Sequence, residues 1–216
     1  MKITTLLGAT LLTALPLQLQ GASSISLIFD ESVDGEASSD PLNPTDLGTL
    51  ALGENGISGF VTSSDGAGGS STALPTTRDF FTFNIAENQI LTGIFVSALS
   101  GTDAAGAASN DRGFFILDEG ATSLIPVTEN SASFLTGNFI SATTPVGTNL
   151  LALGNATAGP GVTLPLGAGD FVFEIQQTGS ETLNFTLGIQ VEAVPEPSSA
   201  LLLGLGSLLG LRRRRS

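Results

Sequence analysis

The chain has 216 residues and a formal net charge of −13 at neutral pH, and it contains no cysteine, histidine, tryptophan or tyrosine. The absence of cysteine excludes disulfides and thiolate metal sites, and the absence of histidine excludes histidine-based catalytic triads and imidazole ligands. Nineteen of the 20 acidic residues lie between residues 22 and 193, where Arg78 and Arg112 are the only basic ones. We therefore expect no nucleic-acid partner, because such binding depends on cationic contacts with phosphate.

The N-terminus has the pattern of a secretory signal peptide. Lys2 precedes an apolar run over residues 3–15, which Pro16 ends, and small residues follow at Gly21, Ala22 and Ser23. This order of charge, apolar run and small residues predicts a signal peptide at residues 1–22, with the Sec translocon and signal peptidase as partners. A buried N-terminal helix is the alternative, but the run is apolar on all sides and an acidic domain follows it directly.

Residues 23–193 alternate between apolar and polar side chains in many short runs. The clearest run has Leu183, Phe185, Leu187, Ile189 and Val191 separated by polar residues or glycine, which is typical of a strand with one face in water. Short strands between glycine-rich and polar turns predict an all-β domain, an antiparallel β-sandwich resembling a jelly roll. The expected strands are 25–29, 47–52, 57–62, 81–85, 90–99, 114–118, 134–140, 149–153, 171–175 and 183–191.

The last two predicted strands follow a leucine- and glycine-rich turn at residues 164–169. They are expected to pair as a terminal hairpin. This ending, together with the run Asp79-Phe80-Phe81-Thr82-Phe83, resembles bacterial pre-peptidase C-terminal β-sandwich domains. Glycine turns between alternating strands also occur in many other sandwiches.

The densest group of acidic side chains lies near the start of this domain. Its members are Asp30, Glu31, Asp34, Glu36 and Asp40, with Asp46 close by. Clustered oxygen ligands suit Ca²⁺, but the spacing differs from the helix-loop-helix calcium motif. We expect a solvated acidic loop with no cofactor, and keep a Ca²⁺ site at Asp30, Asp34, Glu36 and Asp40 as the alternative. Arg78 beside Asp79, and Arg112 beside Asp111, are expected to form weak surface ion pairs.

The C-terminus, residues 194–216, combines three distinct segments. Val194, Pro195, Glu196 and Pro197 cannot continue a strand or helix, because the two prolines lack backbone donors. The apolar stretch over 198–211 is predicted to be a short transmembrane helix. The four arginines Arg212, Arg213, Arg214 and Arg215 would then stop translocation on the cytoplasmic side.

These three segments together resemble the PEP-CTERM sorting signal. In that family the proline-glutamate-proline motif, the apolar helix and the basic end correspond to residues 195–197, 201–211 and 212–215. The resemblance implies recognition by an exosortase, a membrane-embedded protease-transpeptidase. It also implies transient insertion into the inner membrane, removal of the tail and delivery to the cell envelope or to an extracellular matrix of exopolysaccharide, as in a biofilm.

Three functions remain open for the body of the chain. It is a non-catalytic envelope or matrix protein, a polysaccharide-binding module, or a hydrolase that depends on carboxylates. The missing tryptophan and tyrosine count against sugar stacking, and the missing histidine and cysteine against most hydrolytic mechanisms. The sequence therefore favours the first function by elimination, with no catalytic residue to name.

Overall fold

The computed structural model describes residues 25–62, 78–102, 108–109, 112–122, 134–153, 161–178 and 182–194. The predicted signal peptide and residues 195–216 of the predicted sorting signal lie outside the described residues. The described residues form ten strands and two single-turn helices. The strands are β1 Ser26–Asp30, β2 Thr45–Thr49, β3 Gly53–Thr62, β4 Arg78–Ile85, β5 Gln89–Thr102, β6 Ala108–Ser109, β7 Arg112–Glu119, β8 Thr136–Ser141, β9 Gly169–Gln177 and β10 Thr182–Ala193, and the helices are α1 Glu31–Asp34 and α2 Leu150–Leu153.

The strands form two five-stranded sheets. The first sheet has the order β1-β3-β10-β5-β6, and the second has the order β2-β4-β9-β7-β8. All pairings are antiparallel except β1 with β3 and β2 with β4, which add a parallel strand at one edge of each sheet. From β3 to β5, and again from β9 to β10, consecutive strands alternate between the two sheets.

The hydrophobic core lies between the inner faces of the two sheets. On β10 the alternate residues from Leu183 to Val191 are at most 2% exposed, and they face a phenylalanine-rich layer from the second sheet. Phe81 packs edge-on against Phe185 across this interface, with ring centroids 6.4 Å apart. The period-two pattern of the sequence therefore places its apolar residues on one buried face, as predicted.

The structure confirms a predominantly β fold of two sheets and corrects two details. The segment predicted as strand 149–153 forms helix α2 instead, and only its first residue makes a β-bridge, between Asn149 and Phe95. The prediction that the last two strands pair as a terminal hairpin is also wrong, because β9 lies in the second sheet and β10 lies at the centre of the first. The link between β9 and β10 crosses from one sheet to the other rather than turning back within one.

Candidate functional site

The chain leaves the sandwich at the end of its central strand. Val194, the last described residue, donates its backbone N–H to the carbonyl of Asn88 at 2.8 Å. Asn88 lies in the turn between β4 and β5, so this bond ties the end of β10 to the body. Residues 195–197 then connect to the apolar stretch 198–211 and, fully extended, span at most about 10 Å. The predicted sorting motif therefore begins directly at the folded body, without a long linker.

The acidic residues near the N-terminus of the domain are engaged by backbone amides. Asp30 Oδ1 accepts from Ser32 N at 3.0 Å, and Asp34 Oδ2 accepts from Asp30 N at 2.8 Å. Asp40 and Asp46 each accept from the amide two residues further on. Among the described residues, no group of three or more acidic side chains is placed to hold a metal ion. The side chains singled out for Ca²⁺ thus cap turns individually, apart from the exposed Glu36.

Glu31 differs from these neighbours because it is buried. Its side chain is 8% exposed, and each carboxylate oxygen accepts one backbone hydrogen bond. Oε1 accepts from Ala37 N at 2.9 Å and Oε2 from Phe60 N at 2.8 Å. Glu31 therefore pairs with the edge of β3 beyond the point where β1 ends. A Cβ atom at Gly59 would lie 2.6 Å from Glu31 Oε2, so glycine leaves the room for this contact.

An open groove of about 390 Å³ runs over the outer face of the first sheet. Ser58 and Phe60 from β3, Asn184 and Thr186 from β10, and Ala98 and Ser100 from β5 form its floor. Asp30, Glu31 and Ser32 form one wall. Phe60 is 48% exposed, and it and Phe139 are the two half-exposed phenylalanines of the described residues. The groove thus joins one accessible ring to hydroxyl and amide side chains on a rigid sheet.

Two acidic residues on neighbouring strands of the second sheet are buried, and the sequence predicted neither. Arg78 does not pair with Asp79; its Nη1 lies 3.0 Å from Oε1 of Glu174 on β9. Glu174 is 2% exposed, and this burial raises its pKa to about 7 although the charge of Arg78 lowers it. The predicted surface pair is thus replaced by a buried pair between strands.

Asp79 has no basic partner in the part of the chain that the structure describes. It is 4% exposed, and its Oδ2 has no hydrogen-bond partner among the described residues. Burial, and then repulsion by Glu31 and Glu36, raise the pKa of Asp79 to about 8. Asp79 is therefore protonated at neutral pH. Its sequence position, beside an arginine at the start of a strand, gave no signal of this.

The comparison with protein families identifies the C-terminal segment. Residues 193–216 match the model of the PEP-CTERM protein-sorting motif. The chain is thus a PEP-CTERM protein, marked for exosortase-dependent sorting to the cell envelope. No curated protein and no solved structure matches the chain. The resemblance of the body to pre-peptidase C-terminal domains therefore stays a prediction.

The described part of the chain has no helix long and apolar enough to cross a membrane. The predicted transmembrane segment at 198–211 lies outside the described residues. The arginines at 212–215 lie outside them as well.

Proposed function

We propose that the chain is an exported, non-catalytic envelope or matrix protein whose tail serves only for sorting. In this proposal the signal peptide directs export, residues 198–211 insert transiently into the inner membrane, and the exosortase removes the tail at Pro195, Glu196 and Pro197. The folded sandwich is then delivered to the envelope or extracellular matrix. The match of residues 193–216 to the sorting motif carries this proposal.

Physical properties of the tail favour transient rather than permanent insertion. A helix over the 14 residues 198–211 would be about 21 Å long, whereas the hydrocarbon core is about 30 Å thick. Snorkelling arginines and local thinning of the bilayer can close part of this gap. The three glycines in the stretch, Gly204, Gly206 and Gly210, also weaken the helix.

Mass spectrometry of the protein isolated from the envelope of an exosortase-containing host tests this proposal. The mature chain should lack the residues after the sorting motif, and replacing Pro195, Glu196 and Pro197 by alanine should leave the tail in place. A matched control replaces Pro41 and Pro44 in a loop of the body, which should leave processing unchanged. Recovery of intact Ser216 as the main species of the natural sequence would contradict the proposal.

The groove on the first sheet supports a second candidate function, binding of a neutral polysaccharide. The half-exposed ring of Phe60 offers a surface on which a sugar ring can stack, and Ser100 and Asn184 offer polar groups beside it. The groove lining contains no basic residue, so an anionic polymer would meet only the carboxylates of Asp30 and Glu31. A neutral exopolysaccharide is the chemistry that this groove favours.

Retention on immobilised neutral and anionic polysaccharides tests this second candidate. We expect Phe60→Ala to abolish retention on a neutral polymer. The control is Phe139→Ala, which removes a ring of similar exposure, 51%, on β8 of the other sheet. Equal retention of the two variants, or no retention of the natural protein on any polymer, would exclude the groove as a glycan site.

The third alternative, a carboxylate-dependent hydrolase, finds less support. Glycosidase chemistry needs two carboxylates facing each other in a cleft, with room for substrate. Asp30 is hydrogen-bonded to an adjacent amide and Glu31 holds two backbone donors, so the acids beside the groove already have structural partners. We propose no hydrolytic turnover. A screen of polysaccharide, ester and peptide substrates should find none, whereas turnover lost in Asp30→Asn would contradict this proposal.

A further inference from the structure

Residues 31–38 form a short connection, here called the strap, that links the two sheets along one side of the sandwich. It begins where β1 leaves the edge of the first sheet and includes α1. It ends at Ser38, whose carbonyl accepts a hydrogen bond from Phe80 N of β4 at 2.9 Å. The strap is therefore bonded to the first sheet at its start and to the second sheet at its end.

One carboxylate makes two of the hydrogen bonds that hold the strap, and Ser38 at its end makes two more, from its N–H to Thr45 Oγ1 and from its hydroxyl to Asn43 O. Glu31 accepts from Ala37 within the strap and from Phe60 on β3. Beyond these bonds, Ala37 is buried at 5% exposure, while residues 32–36 are all exposed. The strap thus depends on the local charge around Glu31 more than on a large buried apolar surface.

Asp79 lies where the strap meets β4, directly before Phe80. Its carboxyl is 4% exposed, and its Oδ2 has no hydrogen-bond partner among the described residues. After burial, repulsion by Glu31 and Glu36 of the strap also raises the pKa of this carboxyl. On its own strand the neighbouring base, Arg78, pairs with Glu174 on the opposite face of the second sheet. A negative charge at Asp79 would therefore have no basic partner within the described part of the chain and would repel both carboxylates of the strap.

We propose that Asp79 and the strap form a pH-sensitive latch, closed while the Asp79 carboxyl is protonated and opened when it ionises. The protonated carboxyl of Asp79 carries no charge and can therefore stay buried between the sheets. The ionised acid gains hydration and distance from Glu31 and Glu36 only if residues 31–38 move away. Because Glu31 and Ser32 form part of one wall of the groove, opening the strap removes that part of the wall, while Asp30 stays in β1.

Proton linkage fixes the pH range of the latch. The pKa of Asp79 is about 8 in the closed state, and in an open, hydrated strap it would return towards its ordinary value of 3.8. Between these values the open population rises with pH, by up to about tenfold per pH unit. Above about pH 8 both states are ionised, and the open population becomes constant.

Hydrogen exchange of single amides in the full chain, solubilised in detergent, tests the latch. The reporters are Ala37, Phe60 and Phe80, whose N–H groups bond to the strap, and Leu91, bonded to Leu166 away from it, is the reference. Between pH 5.5 and 8 the protection factors of the reporters should fall severalfold to tenfold per pH unit and stay well below that of Leu91, which is fully buried and exchanges only when the whole domain unfolds. Reporters as strongly protected as Leu91 would show that global unfolding, not the strap, exposes them. Asp79→Asn should remove this pH dependence.

A second variant keeps the proposal testable if Asp79→Asn does not fold. Glu36→Gln changes an exposed side chain of the strap and removes one of the two repelling charges, so it should raise the protection of the reporters at pH 8. Protection factors that do not depend on pH in the natural protein would overturn the latch. An unchanged pH dependence in Asp79→Asn, or reporters in Glu36→Gln as weakly protected at pH 8 as in the natural protein, would overturn it as well.

Discussion

Alternation of side chains along a strand decides which charged residues can pair. Arg78 and Asp79 are adjacent in the sequence, so in β4 their side chains point to opposite faces of the second sheet. Arg78 instead meets Glu174, which lies diagonally across the β4–β9 ladder on the same face. A sequence-based argument from adjacency therefore fails inside strands. The cross-strand partner follows only from the register, which the sequence did not provide.

The burial of Asp79 predicts a specific pH dependence of stability. The unfolded chain loses the Asp79 proton near pH 4, whereas the folded chain holds it until about pH 8. The folded state therefore binds more protons in this interval, and its stability falls as the pH rises from 4 to 8. Asp79→Asn carries no proton to lose. Its advantage over the natural protein should grow by about 1.4 kcal/mol for each pH unit between 4 and 8, which amounts to several kcal/mol at pH 7.5 and less than about 1 kcal/mol at pH 4.

Urea denaturation of both proteins at pH 4 and pH 7.5 measures this difference. Asp118→Asn is a suitable control, because burial also raises the pKa of Asp118 but that residue is only half-buried. Its effect on the free energy of unfolding at pH 7.5 should be smaller than that of Asp79→Asn. A difference between Asp79→Asn and the natural protein that is the same at pH 4 and pH 7.5 would show that Asp79 is not protonated in the fold.

At the scale of elements, the long runs of alternating residues correctly predicted strands. The short apolar run 149–153 was also predicted to be a strand, but it forms helix α2. That run contains Leu150 and Leu151 in succession, and both are buried. Two adjacent side chains cannot face the same core from one strand, but they can from a helical turn. Asn149 begins that turn by accepting from Leu151 N at 3.1 Å. The sequence feature that distinguishes this helical turn from a strand is the lack of alternation between apolar and polar residues. A short run of leucines makes that lack difficult to recognise.

The contact between Asn149 and β5 predicts an interaction energy between two positions. The Asn149 amide donates to Thr92 O at 3.2 Å and lies over Gly93, where a Cβ atom would be 2.7 Å from Asn149 Cγ. Gly93→Ala should destabilise the fold by roughly 1–3 kcal/mol through this overlap. Asn149→Ala should cost about 1 kcal/mol through the lost hydrogen bonds.

The double variant Gly93→Ala/Asn149→Ala should be less destabilised than the sum of the two single variants, because shortening Asn149 makes room for the new methyl group. Thermal or urea unfolding of the natural protein, the two single variants and the double variant gives the interaction energy between positions 93 and 149. Gly167→Ala, at a glycine with open space around it, is the matched control and should cost little. Strict additivity would mean that Asn149 does not pack on Gly93 in solution.

The acidic segment predicts how the protein responds to removal of divalent cations. Asp30, Asp34, Asp40 and Asp46 each already accept a backbone hydrogen bond, so Ca²⁺ would have to compete with these amides. We expect the melting temperature to be the same, within about 1 °C, in excess EDTA and in millimolar Ca²⁺. A rise of several degrees in Ca²⁺ that is lost in Asp34→Asn would support the calcium alternative instead.

For the whole molecule, composition and periodicity predicted the class of fold but not which strand pairs with which. The terminal hairpin was expected because β9 and β10 are close in sequence. The two sheets of a sandwich lie only about 10 Å apart, however, so a link of a few residues can cross between them as readily as it can reverse within one. The sorting motif could be identified because its signal is local: three adjacent segments of distinct chemistry, independent of the fold.

The position of β10 connects the fold to sorting. β10 is the last strand of the body, yet it pairs with both β3 and β5 at the centre of the first sheet. In the proposed export, the first sheet therefore cannot close until the chain has crossed the membrane up to the start of the sorting motif. Because residues 195–197 span at most about 10 Å, a tail held in the bilayer at 198–211 would keep β10 near the membrane surface while it inserts.

This arrangement predicts opposite effects of two truncations. A chain ending at Val194 should unfold at the temperature of the natural protein, because it keeps β10 and the bond from Val194 to Asn88. A chain ending at Gln177 should not fold, since it exposes the facing edges of β3 and β5 and loses the buried apolar side chains of β10. Circular dichroism during heating measures both. A cooperative transition in the shorter chain, or a markedly lower melting temperature in the longer one, would show that β10 is not what completes the sandwich.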